Sequence, residues 1–564
     1  SGDVFGNVDF GTSGSDVLQI NSARLFGNAI FRGANANLSL AGGTMEGDIT
    51  LNNAAAALSF TGKSTYNGAI TSTGGPVSMV VNDSTVNSSG AGTLNLTSLQ
   101  LANNARFGFV IDSARIAANT PIFNITGVAD VGANTVFTPI FEDFINQNFT
   151  LRVLNASTLN LGGPVASMLN VNSPYLFNVN LVQPNANSLD LVLSVKNEQQ
   201  LGLNTRQAGA YDAVLALMEE QPTVGAAITS IGTANEFLRS WSDLLPGSDA
   251  AVMELLAANA TAAFGATAHR LDLISDKPDA PGGAWVEEFG VYHEGDASVD
   301  GHAVSGGGFG VAAGLDLIST GSALIGTYAS LESVEVDERN RTAAPLNVAQ
   351  TTLGLYGGLR AGNFALNAAG GYGLVNFTSA RDIAIGPITE SIDGEWDGTS
   401  YNFGARASYT LPVGFLNVKP FIAADYMNLS QDGYAETVPG FDDPPAIALI
   451  ADSTESTLSS ASYGVTFNAN FGSDDAFTFK PEMSVGYRNI LTWEAPSPGY
   501  RFAGNDTAAP FFLHPGQIPD DGIVAGLGLN VESQFLNIKL GYDTEISDTA
   551  TTHYGSITLR LAFW

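Results

Sequence analysis

Twelve segments in the C-terminal half of the chain alternate apolar and polar side chains, and this pattern restricts the fold more than any other feature. In one of them, Leu416, Val418 and Ile422 alternate with Asn417 and Lys419. Successive side chains of a β-strand point to opposite faces, so each segment forms a strand with one apolar and one polar face. The predicted strands span roughly residues 284–294, 305–318, 322–336, 347–361, 362–380, 397–411, 414–431, 455–471, 475–493, 521–532, 533–546 and 551–563.

The connections between these strands alternate in length. The turns STGS, RAGN, PVG and GSDD are tight, whereas the links at 337–346, 381–396, 432–454 and 494–520 are long. Tight turns at one end and long loops at the other are typical of transmembrane barrels, in which closed pairing satisfies every backbone group. A soluble two-sheet sandwich, the alternative, needs no such asymmetry. The sequence therefore predicts a 12-stranded antiparallel transmembrane β-barrel at 284–564, with apolar side chains facing lipid and polar ones facing the lumen.

A second periodicity occupies residues 1–93. Glycines align at Gly6, Gly27, Gly47 and Gly68, with spacings of 21, 20 and 21 residues. The strand-like stretches DVLQI, ANLSL, AALSF and VSMVV recur between them at nearly the same spacing. A period of this length predicts a parallel β-solenoid (β-helix), here with two short strands in each coil and neighbouring coils sheltering each other's apolar face. Residues 94–197 are predicted to be a less regular β segment.

The chain changes character again at residues 198–283, which are rich in alanine and leucine and predict α-helices. The stretch from Asp249 to Ser275 would be about 40 Å long as a helix, enough to cross a bilayer core of about 30 Å. Its side chains are small, which suits a slim helix that fills a barrel lumen. The predicted plug residues are Ala257, Ala258, Asn259, Ala262, Ala263 and Gly265.

Composition excludes several functions. Acidic residues outnumber basic ones 55 to 22, for a net charge of −33, which argues against nucleic acid as a partner. No cysteine is present, and all five histidines follow residue 196, so the N-terminal region has no Ser-His-Asp site. The stretch GTSGSD at 11–16 occurs once, which favours a turn over a calcium-binding repeat. We therefore predict no enzyme activity, no cofactor and no metal site.

The order of solenoid, helical segment and C-terminal barrel resembles the type Va autotransporters of Gram-negative bacteria. The stretches AWVEEFG, GGGFGVAAGLDL and VKPFIAADYMNLSQDGYAET are similar to barrel strands of that family. The ending YGSITLRLAFW resembles its barrel assembly signal, carried here by Ile557, Leu559, Leu561 and Phe563, with Trp564 one residue beyond the usual final aromatic. Residues 94–197 are similar to the passenger-proximal, autochaperone-like segment of many members.

The resemblance implies a barrel that inserts into the outer membrane and displays or secretes its own solenoid passenger, adhesive or surface-structural in role, at the cell surface. The implied partners are outer-membrane lipid, lipopolysaccharide, the barrel-assembly machinery and periplasmic chaperones. The passenger would bind host, cell-surface or self-association partners. The alternative is a porin-like or structural barrel with a small extracellular solenoid.

The resemblance also implies a candidate self-cleavage site at Asn259. Members that cut themselves carry paired asparagines, whereas Ala258 and Ala260 flank this one. An asparagine that hydrogen-bonds to a polar lumen wall is the alternative.

Overall fold

The computed structural model describes residues 2–52, 55–90, 92–142, 144–169, 174–247, 249–276, 283–297, 303–339, 345–441, 443–472, 477–515, 520–533 and 536–562. The chain divides into two compact units. One comprises residues 1–202 and 218–238, and the other comprises residues 203–217 and 239–564.

The first unit is a stack of parallel coils. Its first five coils contain β1 (Asp3–Phe5), β2 (Val8–Asp9) and β3 (Ser15–Asn21); β4 (Arg24–Phe26), β5 (Ala29–Phe31) and β6 (Asn35–Ala41); β7 (Thr44–Glu46), β8 (Ile49–Leu51) and β9 (Ala55–Thr61); β10 (Thr65–Gly68), β11 (Ile70–Ser72) and β12 (Val77–Asn82); and β13 (Thr85–Ser88), β14 (Leu94–Leu96) and β15 (Ser98–Ala102). The predicted solenoid is confirmed, but each coil has three strands where the sequence analysis predicts two.

A turn at the aligned glycine divides the segment there into two strands, which accounts for the third strand of each coil. The chain bends at each aligned glycine, between β4 and β5 in the second coil and between β7 and β8 in the third. An added Cβ at Gly27 would lie 2.2 Å from the carbonyl oxygen of Gly6, and one at Gly47 would lie 2.3 Å from that of Gly27. Only glycine allows the backbones of successive coils to approach this closely at the bend.

The interior of the solenoid is a ladder of apolar side chains. Leu18 pairs with Leu38, Leu38 with Leu58, and Leu58 with Met79. Leu38, Leu58 and Met79 are at most 1% exposed. Each coil therefore buries its apolar residues against the next one.

The remaining elements of the first unit are less regular. They are β16 (Arg106–Ile111), α1 (Ser113–Ala118), β17 (Phe123–Val131), β18 (Val136–Phe141), β19 (Phe149–Leu161), a 3-10 turn (Val165–Met168), β20 (Phe177–Asn185) and β21 (Ser188–Val195). β16 to β19 continue the parallel stack, and β21 pairs antiparallel with both β19 and β20. The helical segment begins after β21 and contributes to both units. Its helices are α2 (Glu198–Leu201), α3 (Thr205–Ala208), α4 (Tyr211–Glu220), α5 (Pro222–Thr229), α6 (Ala234–Asp243) and α7 (Asp249–Asp276).

The second unit is a closed antiparallel barrel. Its twelve principal strands are β22 (Gly283–Gly295), β23 (Val304–Ser319), β24 (Ala323–Glu338), β25 (Leu346–Ala361), β26 (Phe364–Ile385), β27 (Ile388–Tyr409), β29 (Leu416–Gln431), β32 (Thr454–Ala469), β34 (Thr478–Glu494), β36 (Gly522–Glu532), β37 (Leu536–Ser547) and β38 (Ala550–Ala562). Short strands β28 (Leu411–Val413), β30 (Tyr434–Ala435), β31 (Leu449–Ala451), β33 (Phe471–Gly472) and β35 (Tyr500–Phe502), and a 3-10 turn (Ala503–Asn505), accompany them. β38 pairs with β22 from Gly283–Ala562 to Gly295–Ala550 and closes the barrel. The 12-stranded prediction is confirmed.

Side-chain exposure follows the predicted alternation. On β29, Ile422 is 65% exposed and points outward, whereas Lys419 is 7% exposed and points into the lumen. On β37, Leu540 is 47% exposed, whereas Lys539 is 9% exposed. An apolar exterior over a partly polar interior is the surface that a membrane-spanning barrel requires.

The link predicted at 381–396 is not a loop. β26 and β27 each continue for 22 residues and meet in a tight turn, with Ile385 paired to Ile388. Ile383 and Ile385 are buried. The strand therefore keeps its alternation of buried and exposed residues beyond the length that is needed to cross a membrane. Gly386, with φ +56°, provides the turn. This hairpin extends beyond the barrel wall on the long-loop side.

The plugged barrel as candidate functional site

Helix α7 fills much of the barrel lumen. Ala263 and Ala266 are at most 3% exposed and pack in one cluster with Phe289 and Tyr328 of the wall. The stretch Ala251–Ala268 is apolar enough to cross a membrane by length and composition, with a mean hydropathy of 1.2. Here it lies inside the barrel, and the strands rather than the helix face outward.

The contacts of α7 with β23 give its direction. β23 begins after a long loop and ends before a tight turn, and Leu255 lies beside its first residues, at Gly306. Arg270 binds Asp316 near the other end of the strand. The helix therefore begins at the long-loop end and ends at the tight-turn end. At 28 residues it is about 42 Å long.

The lumen near the long loops is sealed by apolar side chains. Met253, Leu255 and Leu256 are at most 1% exposed and pack against a ring of wall residues. The ring includes Val334, Val336, Val348, Phe377, Trp396, Leu429 and Leu458. The uniformly polar lumen wall predicted from the alternation is therefore wrong for this half of the barrel. Once the lumen is filled, its wall is a protein core, and close packing favours apolar residues there.

The other end of the helix is held by a buried ion pair. Arg270 donates to Asp316 over 2.5 Å, and both side chains are 1% exposed. Tyr356 Oη donates to Asp316 Oδ1 over 2.7 Å, and the backbone N–H of Gly283 donates to Oδ2 over 2.8 Å. Such extra hydrogen bonds are needed for a buried carboxylate, whose desolvation is costly. Sequence reasoning missed this anchor, although Asp316 interrupts an apolar stretch and gave a signal.

A group of residues at the long-loop end of the barrel holds the chain that leads into α7. We call Arg381, Glu436 and Ile447 the exit clamp. Arg381 donates to both carboxylate oxygens of Glu436, over 2.8 and 2.5 Å, and to the carbonyl of Ile447 over 3.3 Å. Its Nη1 donates over 2.9 Å to the carbonyl of Asp243, the last residue of α6. A cation at the C-terminus of a helix is favourable, because unpaired carbonyls concentrate negative charge there.

The last strand presents the predicted signal residues on one face. Ile557, Leu559 and Leu561 are 53%, 39% and 45% exposed, whereas Thr558 and Arg560 are buried on the lumen side. Phe563 and Trp564 lie outside the described residues. The role of these residues as an assembly signal stays a prediction.

Residues 284–543 match the family model of the autotransporter beta-domain. The barrel is an autotransporter β-domain. As a domain of that kind, it places this autotransporter in the outer membrane. No curated protein sequence matches the chain at a significant level.

Solved autotransporter domains are similar to this autotransporter at low identity. The translocator domain of NalP from Neisseria meningitidis is 18% identical with a TM-score of 0.39, and the match covers 54% of this chain and 98% of that one. The β-domain of Bordetella BrkA is 12% identical with a TM-score of 0.37, covering 50% and 100%. The transport unit of AIDA-I from Escherichia coli is 12% identical with a TM-score of 0.34, covering 53% and 99%.

Asn259 lies in the plug of this autotransporter with an unusual environment. The side chain is fully buried, and neither amide atom has a hydrogen-bond partner among the described residues. The hydrogen bonds to the wall that the sequence suggests are therefore not formed there. The amide packs on Gly308, where an added Cβ would lie 2.6 Å from Nδ2. Self-cleavage at Asn259 stays a prediction.

The six predicted plug residues divide between two faces of α7. Ala257, Asn259 and Ala263 are buried against the wall, whereas Ala258, although buried, lines a cavity of about 40 Å³. Ala262 and Gly265 instead line a cavity of about 230 Å³ inside the barrel. The plug therefore lies against one side of the lumen and leaves space on the other.

This asymmetry predicts different effects for two neighbouring substitutions in the autotransporter. Ala263→Trp is expected to destabilise the assembled barrel by about 1–3 kcal/mol or more, because the position is packed and overpacking forces the wall to move. Ala262→Trp is expected to assemble normally, because its side chain can enter the cavity. Heat-modifiable migration on gels measures the folded fraction. Equal folded fractions for the two variants would contradict the packing described above.

Proposed function

We propose that this autotransporter exports its own solenoid and displays it at the cell surface. The observation that carries the proposal is the direction of α7. The residues that precede the helix leave the barrel at its long-loop end, which faces outward in outer-membrane barrels. In this proposal the barrel conducts the passenger across the membrane, and α7 remains in the lumen as the plug.

The stacking of the coils supplies a physical reason why export of the passenger would proceed in one direction. Each coil hydrogen-bonds to the next through its backbone, as in the bonds from Gly27 to Glu46 and from Gly47 to Asn67, over 2.8 and 2.9 Å. A coil that folds outside the membrane buries its apolar face on the previous coil and cannot return through a narrow lumen. Since stability in a solenoid accumulates between neighbours, folding outside would draw the chain outward step by step.

The passenger is proposed to be an adhesive or surface-structural module. One polar motif repeats along the surface of the stack. The side chain of Asn7 accepts a hydrogen bond from the backbone N–H of Asn28, the side chain of Asn28 accepts one from the N–H of Asp48, and the side chain of Asp48 accepts one from the N–H of Ala69, over 2.8 to 2.9 Å. A regular array of this kind suits repeated contacts with a host surface, another cell or a second passenger. Asp16 has a similar structural role, because it accepts hydrogen bonds from the backbone of Arg32 and Gly33.

Assembly in the membrane is proposed to involve the barrel-assembly machinery and periplasmic chaperones. The exposed apolar side chains of the barrel exterior require a chaperone in the periplasm and lipid afterwards. Lipopolysaccharide would contact the wall near the long loops.

Protease accessibility in intact cells tests the proposal. An epitope inserted at the exposed turn of Gly74 is expected to be labelled by antibody and removed by added protease. The same epitope at the tight turn of Gly362 is expected to be protected, because that turn would face the periplasm. At both glycines an added Cβ meets no atom within 4 Å, so the insertions are matched. A protected Gly74 epitope in folded protein would contradict surface display. Cell clumping, compared with and without protease treatment, tests the adhesive role.

A further inference from the structure

One carboxyl group faces the lipid side of the barrel wall. On β22, Glu287 and Phe289 are buried and point into the lumen, so Glu288 between them points outward, where it is exposed. It pairs with Val311 of β23 and with Ile557 of β38. None of the residues that the structure describes forms an ion pair or a hydrogen bond with its carboxyl group.

Glu288 lies within the apolar band of the exterior. Its outward neighbours Val286 and Ile557 are both exposed. Further toward the long loops, the outward rings of Tyr292 and His553 stack with their centroids 6.5 Å apart. Aromatic rings on the outside of a membrane barrel are typical of the interface between lipid and water. Since Glu288 lies between these rings and the tight-turn end of β22, it faces hydrocarbon.

The other outward carboxylates on the described strands lie toward the long-loop ends. Examples are Glu294 on β22, Glu335 on β24, Asp397 on β27 and Glu494 on β34. A carboxylate near the membrane surface can remain hydrated, whereas one that faces hydrocarbon is costly. Ionisable residues within a membrane generally face a polar partner. The position of Glu288 therefore calls for a polar group from outside its own chain.

The wall beside Glu288 is thin. Gly290 of β22 and Gly555 of β38 pair directly and are the next outward positions toward the long loops. An added Cβ at Gly555 would meet no atom within 4 Å, and one at Gly290 would meet only the carbonyl oxygen of Gly308, at 3.7 Å. Two adjacent outward positions without side chains form a shallow depression. Small residues at such a place let another membrane-spanning element approach the backbone closely.

We propose that two copies of the barrel associate in the membrane through this face, with their Glu288 carboxyl groups hydrogen-bonded to each other across a twofold axis. A twofold interface brings the same patch of each copy together, so a residue near the axis meets its counterpart at the same depth. Within the apolar band, the described exterior offers no other charged side chain. The charged group that a second copy presents there is therefore Glu288 itself.

The chemistry of the carboxyl group fits such a pair. Lipid tails have no hydrogen-bond donor, whereas a protonated carboxyl group donates to the carboxyl group that it faces. The two depressions let the walls approach, and the pair removes both Glu288 side chains from hydrocarbon. The inference does not depend on what the passenger does outside.

Cysteine cross-linking of the full chain in the outer membrane tests the association. The chain has no native cysteine, so Gly555→Cys provides one thiol in each copy, in the depression. A short bifunctional thiol reagent is expected to produce covalent dimers, and Gly290→Cys is the second variant should the first not fold. Gly370→Cys is the matched control, because it replaces another outward glycine, on β26, where an added Cβ has ordinary contacts at 3.4 and 3.5 Å. It is expected to remain monomeric. Heat-modifiable migration measures the folded fraction of each variant.

Substitutions of Glu288 in the Gly555→Cys chain test the carboxyl pair itself. Glu288→Leu is expected to reduce the cross-linked fraction several-fold, because lipid solvates leucine and the glycines alone remain. Glu288→Gln is expected to preserve it, because two facing amides donate to and accept from each other. Glu335→Leu removes an outward carboxylate near the long loops and is expected to leave the cross-linked fraction unchanged.

Four results would overturn the proposal. They are no cross-linking in the folded cysteine variants of the depression, equal cross-linking of Gly370→Cys, unchanged cross-linking after Glu288→Leu, or a cross-linked product that contains another polypeptide by mass spectrometry. The last result would mean that a different membrane protein occupies this face. None of these outcomes bears on passenger display, which the epitope experiment measures separately.

Discussion

Ile49→Asp is expected to unfold neighbouring coils of the solenoid and make the passenger sensitive to protease. Ile49 is fully buried between Ala29 and Ile70 of the adjacent coils. A carboxylate there would have no partner, and an unpaired buried charge is among the most destabilising of single changes, on the order of 4 kcal/mol or more. Because coils are stabilised by their neighbours, the damage should spread beyond one coil. Limited proteolysis of displayed passenger in intact cells measures it.

The matched control is Ile30→Asp. Ile30 lies in the equivalent strand of the preceding coil, but it pairs with Thr50 and is only half-buried, whereas its neighbours Ala29 and Phe31 point inward. The same substitution is therefore expected to have a much smaller effect. Equal protease sensitivity of the two variants would contradict the register of the coils.

Arg381→Leu is expected to have the largest effect of any single change at the long-loop end of the barrel. The Arg381 and Glu436 side chains are 3% and 1% exposed, so the substitution leaves a buried carboxylate without its cation. Removing one partner of a buried pair typically costs about 3–5 kcal/mol. The exit clamp would also lose its bond to Asp243. We expect faster protease cleavage in the segment between α6 and α7, measured by mass spectrometry of the fragments.

Two further variants distinguish the effect of the unpaired Glu436 carboxylate from a general effect of removing a charge. The double variant Arg381→Leu with Glu436→Leu removes both charges and is expected to be less destabilised than the single variant. Arg339→Leu breaks an exposed pair with Glu294, whose side chains are 52% and 47% exposed, and is expected to cost less than about 1 kcal/mol. A double variant as sensitive as the single one would show that the unpaired carboxylate is not the cause.

The sequence by itself determined the two repeating architectures. Where the lumen wall is polar, lipid and lumen impose opposite polarity on alternate residues of a barrel strand, so Ile422 and Lys419 could be assigned to opposite faces from the sequence. The solenoid could be predicted from the period of the sequence, because stacked coils must repeat the same glycine at the same bend. Both patterns are local or periodic, and such patterns can be read along one chain.

Only the tertiary structure decided which side chains meet inside the barrel. Arg270 and Asp316 are 46 residues apart in the chain, and Arg381 and Glu436 are 55 apart. Neither pair belongs to a repeat, so no spacing predicted it. The apolar seal around Met253 likewise breaks the polar-inward rule, because that rule assumes water in the lumen. The position of one helix, packed against one side of the wall, decides which inward residues form an apolar core and which line a cavity.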